Sequence, residues 1–135
     1  MNHKIMQSIA KLLNKLTLKA SQIDDIEVMW LYGSQAKGTA HSESDIDLAI
    51  AFKNFTLSEI DRKLRPQELS LIWSEQLNLS DGKLSIIDIN TVPVYLAFNV
   101  VEYGNVIYSN NNAREFKEIQ RIYSQYEFEM IEYKV

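Results

Sequence analysis

The sequence has no cysteine. That excludes disulfides and thiolate zinc sites, and it fits a reducing cytoplasm, the expected location. No apolar run approaches the roughly 20 residues of a bilayer span, so no membrane segment is expected. The segment after Met1 is amphipathic and polar throughout, so no secretory leader is expected either. Positive charge is not in excess: 14 Lys and Arg stand against 18 Asp and Glu, a formal net charge of -4. A broad, charge-driven grip on nucleic acid needs a basic surface, so direct nucleic-acid binding is not expected. A local site for a metal-bound nucleotide stays open, because the metal supplies the positive charge. Histidine is scarce, with two residues. His3 sits near the N-terminus and reads as solvent-exposed, and His41 reads as a surface-loop residue more readily than as a phosphate contact. There is no internal repeat, low-complexity tract or dividing linker.

What the chain does hold is one domain's worth of apolar pattern. Its 135 residues are 46% hydrophobic, enough for a core of its own. Ile5, Ile9, Leu12, Leu13 and Leu16 fall at helical spacing. Glu27 to Tyr32 is short, apolar and bounded by Gly33, which predicts a buried strand. A loop with a turn or two of helix follows. From Asp45 to Phe52, Ile46, Leu48, Ile50 and Phe52 face one side, and Asp45, Asp47, Ala49 and Ala51 face the other. Thr56 and Glu59 read as a capping box for a helix beginning near Leu57. Pro66 reads as the first turn of a further helix, running to about Leu79 with Leu69, Ile72, Trp73 and Leu77 inward. Leu84 to Asn90 predicts a strand. Pro93 opens a helix that stops at Gly104, and Val106 to Tyr108 forms a brief strand. An asparagine among 110–112 caps a C-terminal helix over about 112–133. The order predicts a single α/β (α+β) domain over residues 1–135, a short mixed β-sheet flanked by helices. Trp30 and Trp73 read as core.

The chemistry concentrates in Val28 to Phe52, VMWLYGSQAKGTAHSESDIDLAIAF. Asp45 and Asp47, two apart on a strand, project from one side about 6–7 Å apart at the backbone. Their oxygens suit magnesium, a hard cation that keeps places for phosphate. A third carboxylate on a neighbouring strand would complete a two-metal site for phosphoryl transfer. Asp88 is the other aspartate set in a strongly apolar strand, and it is the candidate. Gly33 allows close backbone approach to a phosphate, Ser34 adds a hydroxyl donor, and Lys37 can neutralise charge nearby. A lone Gly-Ser is usually a turn, an Asp-x-Asp usually a loop or cap, and a buried Asp usually a backbone partner. The functional reading rests on the combination.

With those residues in place, LYGSQAKGTAHSESDIDLAIAF resembles the signature of the nucleotidyltransferase superfamily that includes DNA polymerase beta. More closely, the chain is similar to the minimal nucleotidyltransferase (MNT) antitoxins of HEPN/MNT toxin–antitoxin pairs. Gln35 departs from the arginine often found after the Gly-Ser pair. The resemblance implies a polymerase beta-like fold, with Gly33 and Ser34 on ATP phosphates and Asp45, Asp47 and Asp88 on magnesium, two ions in all. It implies transfer of AMP from ATP to a tyrosine of a cognate HEPN RNase toxin, with release of pyrophosphate. In that scheme Asp88 ligates the ion that activates the acceptor, while Asp45 and Asp47 hold the ion on the triphosphate.

Two alternatives remain at this point: an antitoxin that acts by occlusion alone, and a transferase for a small acceptor such as an aminoglycoside. The small-acceptor reading is disfavoured by the lack of an acceptor domain. Phe116, Ile119, Tyr123, Tyr126, Met130 and Tyr133 form one seam on the C-terminal helix. It is expected to pack on the domain's own sheet, with a partner surface as the other reading.

Overall fold

Two apolar faces run along the strand Ile46–Phe52, and both are covered. The computed structural model describes residues 3–38 and 44–133. In chain order the elements are α1 (His3–Ser21), β1 (Ile26–Tyr32), α2 (Ser34–Lys37), β2 (Ile46–Phe52), α3 (Glu59–Gln76), β3 (Leu84–Asp88), α4 (Val94–Tyr103), β4 (Asn105–Ser109) and α5 (Asn112–Tyr133). The sheet order is β3-β2-β1-β4. β1 pairs antiparallel with β2 and β4, and β2 pairs parallel with β3, so the sheet is mixed as expected.

The alternation of β2 builds two cores. Ile46, Leu48, Ile50 and Phe52 join Leu16 and Ala20 of α1, Trp73 of α3 and Leu84 and Ile86 of β3. Ala49 and Ala51 join Trp30, Ile89, Ala97 and Val100 of α4 and Ile122 of α5. Small residues on the second face let α4 lie close. Each fully buried aliphatic side chain contributes about 1.5–3 kcal/mol by leaving water, so the sheet is clamped from both sides. Both tryptophans are core residues. Gly104 closes α4 onto the sheet: a Cβ there would meet the Val100 carbonyl at 2.4 Å and the Leu31 carbonyl at 2.7 Å.

Three expectations are corrected. The cap of α3 is Ser58, whose side chain accepts from the Asp61 N–H, while Thr56 bonds to Asn54. The Thr56–Glu59 box therefore does not form. Pro66 starts no new helix; it is buried inside α3, which is continuous. A proline ring removes one N–H from a helix, and the helix is held here by Trp73 in the core. Ile72 is exposed, not inward. The seam on α5 also divides. Tyr126 stacks on Phe98 with ring centroids 3.8 Å apart, and Tyr123 meets Phe98 edge-on. Phe116 and Met130 are exposed, and the side chain that reaches the sheet core is Ile122, off the seam. The seam thus packs on α4 in its middle. His41 and the side chains of His3 and Tyr133 lie outside the described residues.

Candidate functional site

The site forms where β1 ends and β2 and β3 begin. Tyr32, the last residue of β1, pairs with Asp47 of β2. The chain then turns at Gly33, with φ 74 and ψ -152, into the single turn of α2. That backbone conformation suits glycine. A Cβ on Gly33 would also lie 2.5 Å from Asp47 Oδ2, so a larger residue there would push that carboxylate aside. The glycine turn and the second aspartate are therefore in direct contact. Ser34 follows as the first residue of α2.

Asp45 and Asp47 line one open cleft of about 560 Å³ with Gln67, Ser70 and Leu71 of α3 and Gly82, Leu84, Ser85 and Ile86. Asp45 is exposed and Asp47 half-buried. Among the described residues no cationic side chain pairs with either. Burial, and then the charge of Asp45, push the Asp47 carboxyl above its ordinary range. Burial, with Asp47 adding to it, pushes the neighbouring Tyr32 phenol up to about 12. Crowded negative charge without a counter-ion is the electrostatic signature of a cation site. The two carboxylates offer hard oxygen donors, which fit one divalent ion whose remaining places go to water and phosphate. Lys37 is not among the residues that line the cleft, and its ammonium lies 5.6 Å from the Tyr103 ring centroid.

Asp88 does not belong to this site. In the parallel register of β2 and β3, Asp47 stands opposite Ser85, and Asp88 stands opposite Ile50. Ile50 is on the other face of β2 from Asp47. Asp88 is also three residues further along its strand, about 10 Å away. It is 2% exposed and has its own partners: Arg65 Nη2 at 3.3 Å and the Asn90 N–H at 2.8 Å. Arg65 in turn bonds Asp25 and the Asn54 carbonyl and lies over the Phe52 ring. The expected triad of Asp45, Asp47 and Asp88 is thus a pair plus a structural acid. Among the described residues no three acidic or histidine side chains converge on one point.

Residues Ser85, Tyr32, Gln67 and Ser70 were not expected at the site. Ser85 carried one signal: it is a polar residue between Leu84 and Ile86 on a strand, so it must face away from their core. Which β2 residue it faces is set by strand register, which a single sequence does not encode.

The chain is similar to known proteins over most of its length. The family described as "Polymerase beta, Nucleotidyltransferase" matches residues 14–113. The protein adenylyltransferase MntA of Shewanella oneidensis is 26% identical over 107 residues, covering 79% of this chain and 71% of that protein. A Methanocaldococcus jannaschii protein, provisionally named a protein adenylyltransferase, is 36% identical over 84 residues, 59% of this chain and 55% of its own length. Among solved structures, a toxin–antitoxin complex with AMP-PNP contains a chain at 25% identity, with a TM-score of 0.66 over 95% of this chain and 91% of that one. The MNT antitoxin in complex with a tri-AMPylated Shewanella oneidensis HEPN toxin has the same fold, with 20% identity and a TM-score of 0.67 over 93% of this chain and 92% of that one.

Proposed function

Because the chain belongs to the polymerase beta nucleotidyltransferase family, we propose that it is an antitoxin of the protein adenylyltransferase type. It takes AMP from ATP, transfers it to a tyrosine hydroxyl of a cognate HEPN RNase toxin, and releases pyrophosphate. The observation that carries this reading is the pair Asp45 and Asp47, without a cationic partner among the described residues, pressed against the Gly33 turn. The similarity to MntA and to antitoxin chains in toxin complexes supports the acceptor and the partner.

Each residue has a task in that reaction. The backbone at Gly33 admits the triphosphate closely, and the Ser34 hydroxyl donates to a phosphate oxygen. Lys37, held beside Tyr103, adds long-range attraction for the polyphosphate. Asp45 and Asp47 would hold magnesium. When bound, that ion neutralises charge on the triphosphate and on the departing pyrophosphate. The tyrosine oxygen attacks the α-phosphorus, the bond from that phosphorus to the bridging oxygen breaks, and the hydroxyl proton leaves with solvent.

The cleft is open, and the reading assigns the acceptor surface to the partner. Leu71, exposed on α3, lines the cleft, and Leu64 and Ile72 are exposed on the same helix. Such residues suit the core of a protein contact. No described helix is long and apolar enough to cross a membrane, and we place the reaction in the cytoplasm with its partner.

Incubation with the cognate toxin, ATP and magnesium tests the proposal. The toxin should gain mass in whole AMP units and lose RNase activity together. A second reading, neutralisation by occlusion, is favoured by one observation: the strand position beside Asp47 carries a serine, not an acid. Toxin that is silenced yet keeps its mass would establish that reading instead.

A further inference from the structure

The same position leads further. Two-ion phosphoryl-transfer sites place their metals about 3.5–4 Å apart, clamped by shared and separate ligands. Asp45, Asp47 and the triphosphate together supply ligands for one divalent ion; a second ion, on the acceptor side, needs a further protein carboxylate within reach. In this chain the register settles which residue would supply it. Ser85 is the direct partner of Asp47 across the parallel β2–β3 pair, so the two lie on one face at the interstrand spacing of about 4.8 Å. Ser85 is exposed and lines the same cleft as Asp45 and Asp47. No other described acid joins them, and Asp88 is committed to Arg65 behind the sheet. A serine hydroxyl is neutral and a weak ligand for a hard divalent ion beside a carboxylate.

We propose that this chain holds one divalent ion with its nucleotide, and that Ser85 occupies the place from which a carboxylate would recruit a second. The inference rests on the nucleotide-site reading above and refines it. Its functional consequence is a division between two capacities. Binding of the metal–nucleotide complex is built in, whereas activation of the acceptor hydroxyl falls to the bound partner or goes without metal assistance. Transfer is accordingly slow relative to what the same scaffold could support, and occupancy of the cleft carries more of the function.

Counting ions tests this without reference to activity. The full chain is loaded with AMP-PNP and manganese, and the ternary complex is weighed by native mass spectrometry across a manganese titration. The parent chain and Ser85→Ala should each carry one ion per bound nucleotide. Ser85→Asp should carry two, because the added carboxylate sits beside Asp47 on an exposed strand position where the fold tolerates it. Transfer to the toxin by Ser85→Asp should then rise at least tenfold. A parent chain that takes two ions at similar manganese concentrations overturns the inference, as does a Ser85→Asp chain that still takes one. Failure of every variant to retain AMP-PNP with manganese overturns the nucleotide-site reading itself, and the inference with it.

Discussion

The two ends of the sheet handle negative charge in opposite ways. At the end where β1 stops and β2 begins, Asp45 and Asp47 crowd together with no cation among the described side chains. At the other end Glu27, Asp88 and Glu118 all have one. Arg114 bonds Glu118 at 2.9 Å, Glu27 at 2.9 Å and the Phe52 carbonyl at 2.8 Å. Asn90 bonds both Glu118 oxygens and accepts from Arg114, and Arg121 adds a bond to Glu118 at 2.8 Å. Burial alone would raise the Glu118 carboxyl; hydrogen bonds from Asn90, Arg121 and Arg114, with the charge of Arg121, hold it below its ordinary range instead. Paired acids of this kind fix α5 and the strand ends in place. Unpaired ones raise the free energy of the folded protein. Burial does not separate the two roles, since Asp88 is the most buried acid of the described residues and is structural. The partner does.

Breaking the paired end should cost most. Glu118→Ala leaves Arg114 buried with one carboxylate fewer, and unfolding in denaturant should show a loss of about 3–5 kcal/mol. Breaking the unpaired end should spare the fold and remove the chemistry. Asp45→Asn or Asp47→Asn should cut AMP transfer by more than about 100-fold, since loss of a direct metal ligand exceeds the 10–100-fold typical of outer-shell partners. A normal rate of toxin modification by either variant would end the metal assignment.

Asp88→Asn sharpens the contrast between two aspartates of similar sequence context. It should destabilise by about 1–3 kcal/mol through the Arg65 contact, and leave metal–nucleotide binding as in the parent. A loss of binding with the fold intact would return Asp88 to the site.

The smallest effect is one of sign. Asp47 has a raised folded-state pKa, so its ionisation opposes folding above that value, and the penalty disappears as pH falls below the ordinary aspartate range. Glu118 has a lowered one, so its contribution is present above the ordinary carboxylate range and is lost as pH falls through its lowered value. Metal-free Asp47→Asn should therefore melt slightly above the parent at neutral pH, with the difference closing under acid. A melting temperature below the parent's at neutral pH would contradict the crowding argument.

Much of this is legible in the sequence. The alternation in β2 forced Asp45 and Asp47 to one side, because apolar partners at Ile46, Leu48, Ile50 and Phe52 had to be buried together. Gly33 was legible as a turn, and the folded chain adds the reason it must be glycine. The error with Asp88 has a specific cause. Face alternation is local and readable, but the relation between two strands depends on α3 and the turn before Leu84, whose combined length sets the register. Pro66 misled for a related reason: packing of Trp73 holds α3 together across a residue that, by propensity alone, opens a new helix. On α5 the regular 3-4 spacing described a stripe, while the geometry of α4 chose Ile122, one step off it, as the residue that reaches the sheet.

The contact between Gly33 and Asp47 has a last consequence. One atom of carboxylate fills the space where any other residue at the bend would put its first side-chain carbon. The bend and the acid therefore constrain one another: enlarging the first displaces the second, and no change at position 33 is silent at position 47. The bend proposed to meet the phosphate and the acid proposed to meet the ion are thus coupled through a single contact.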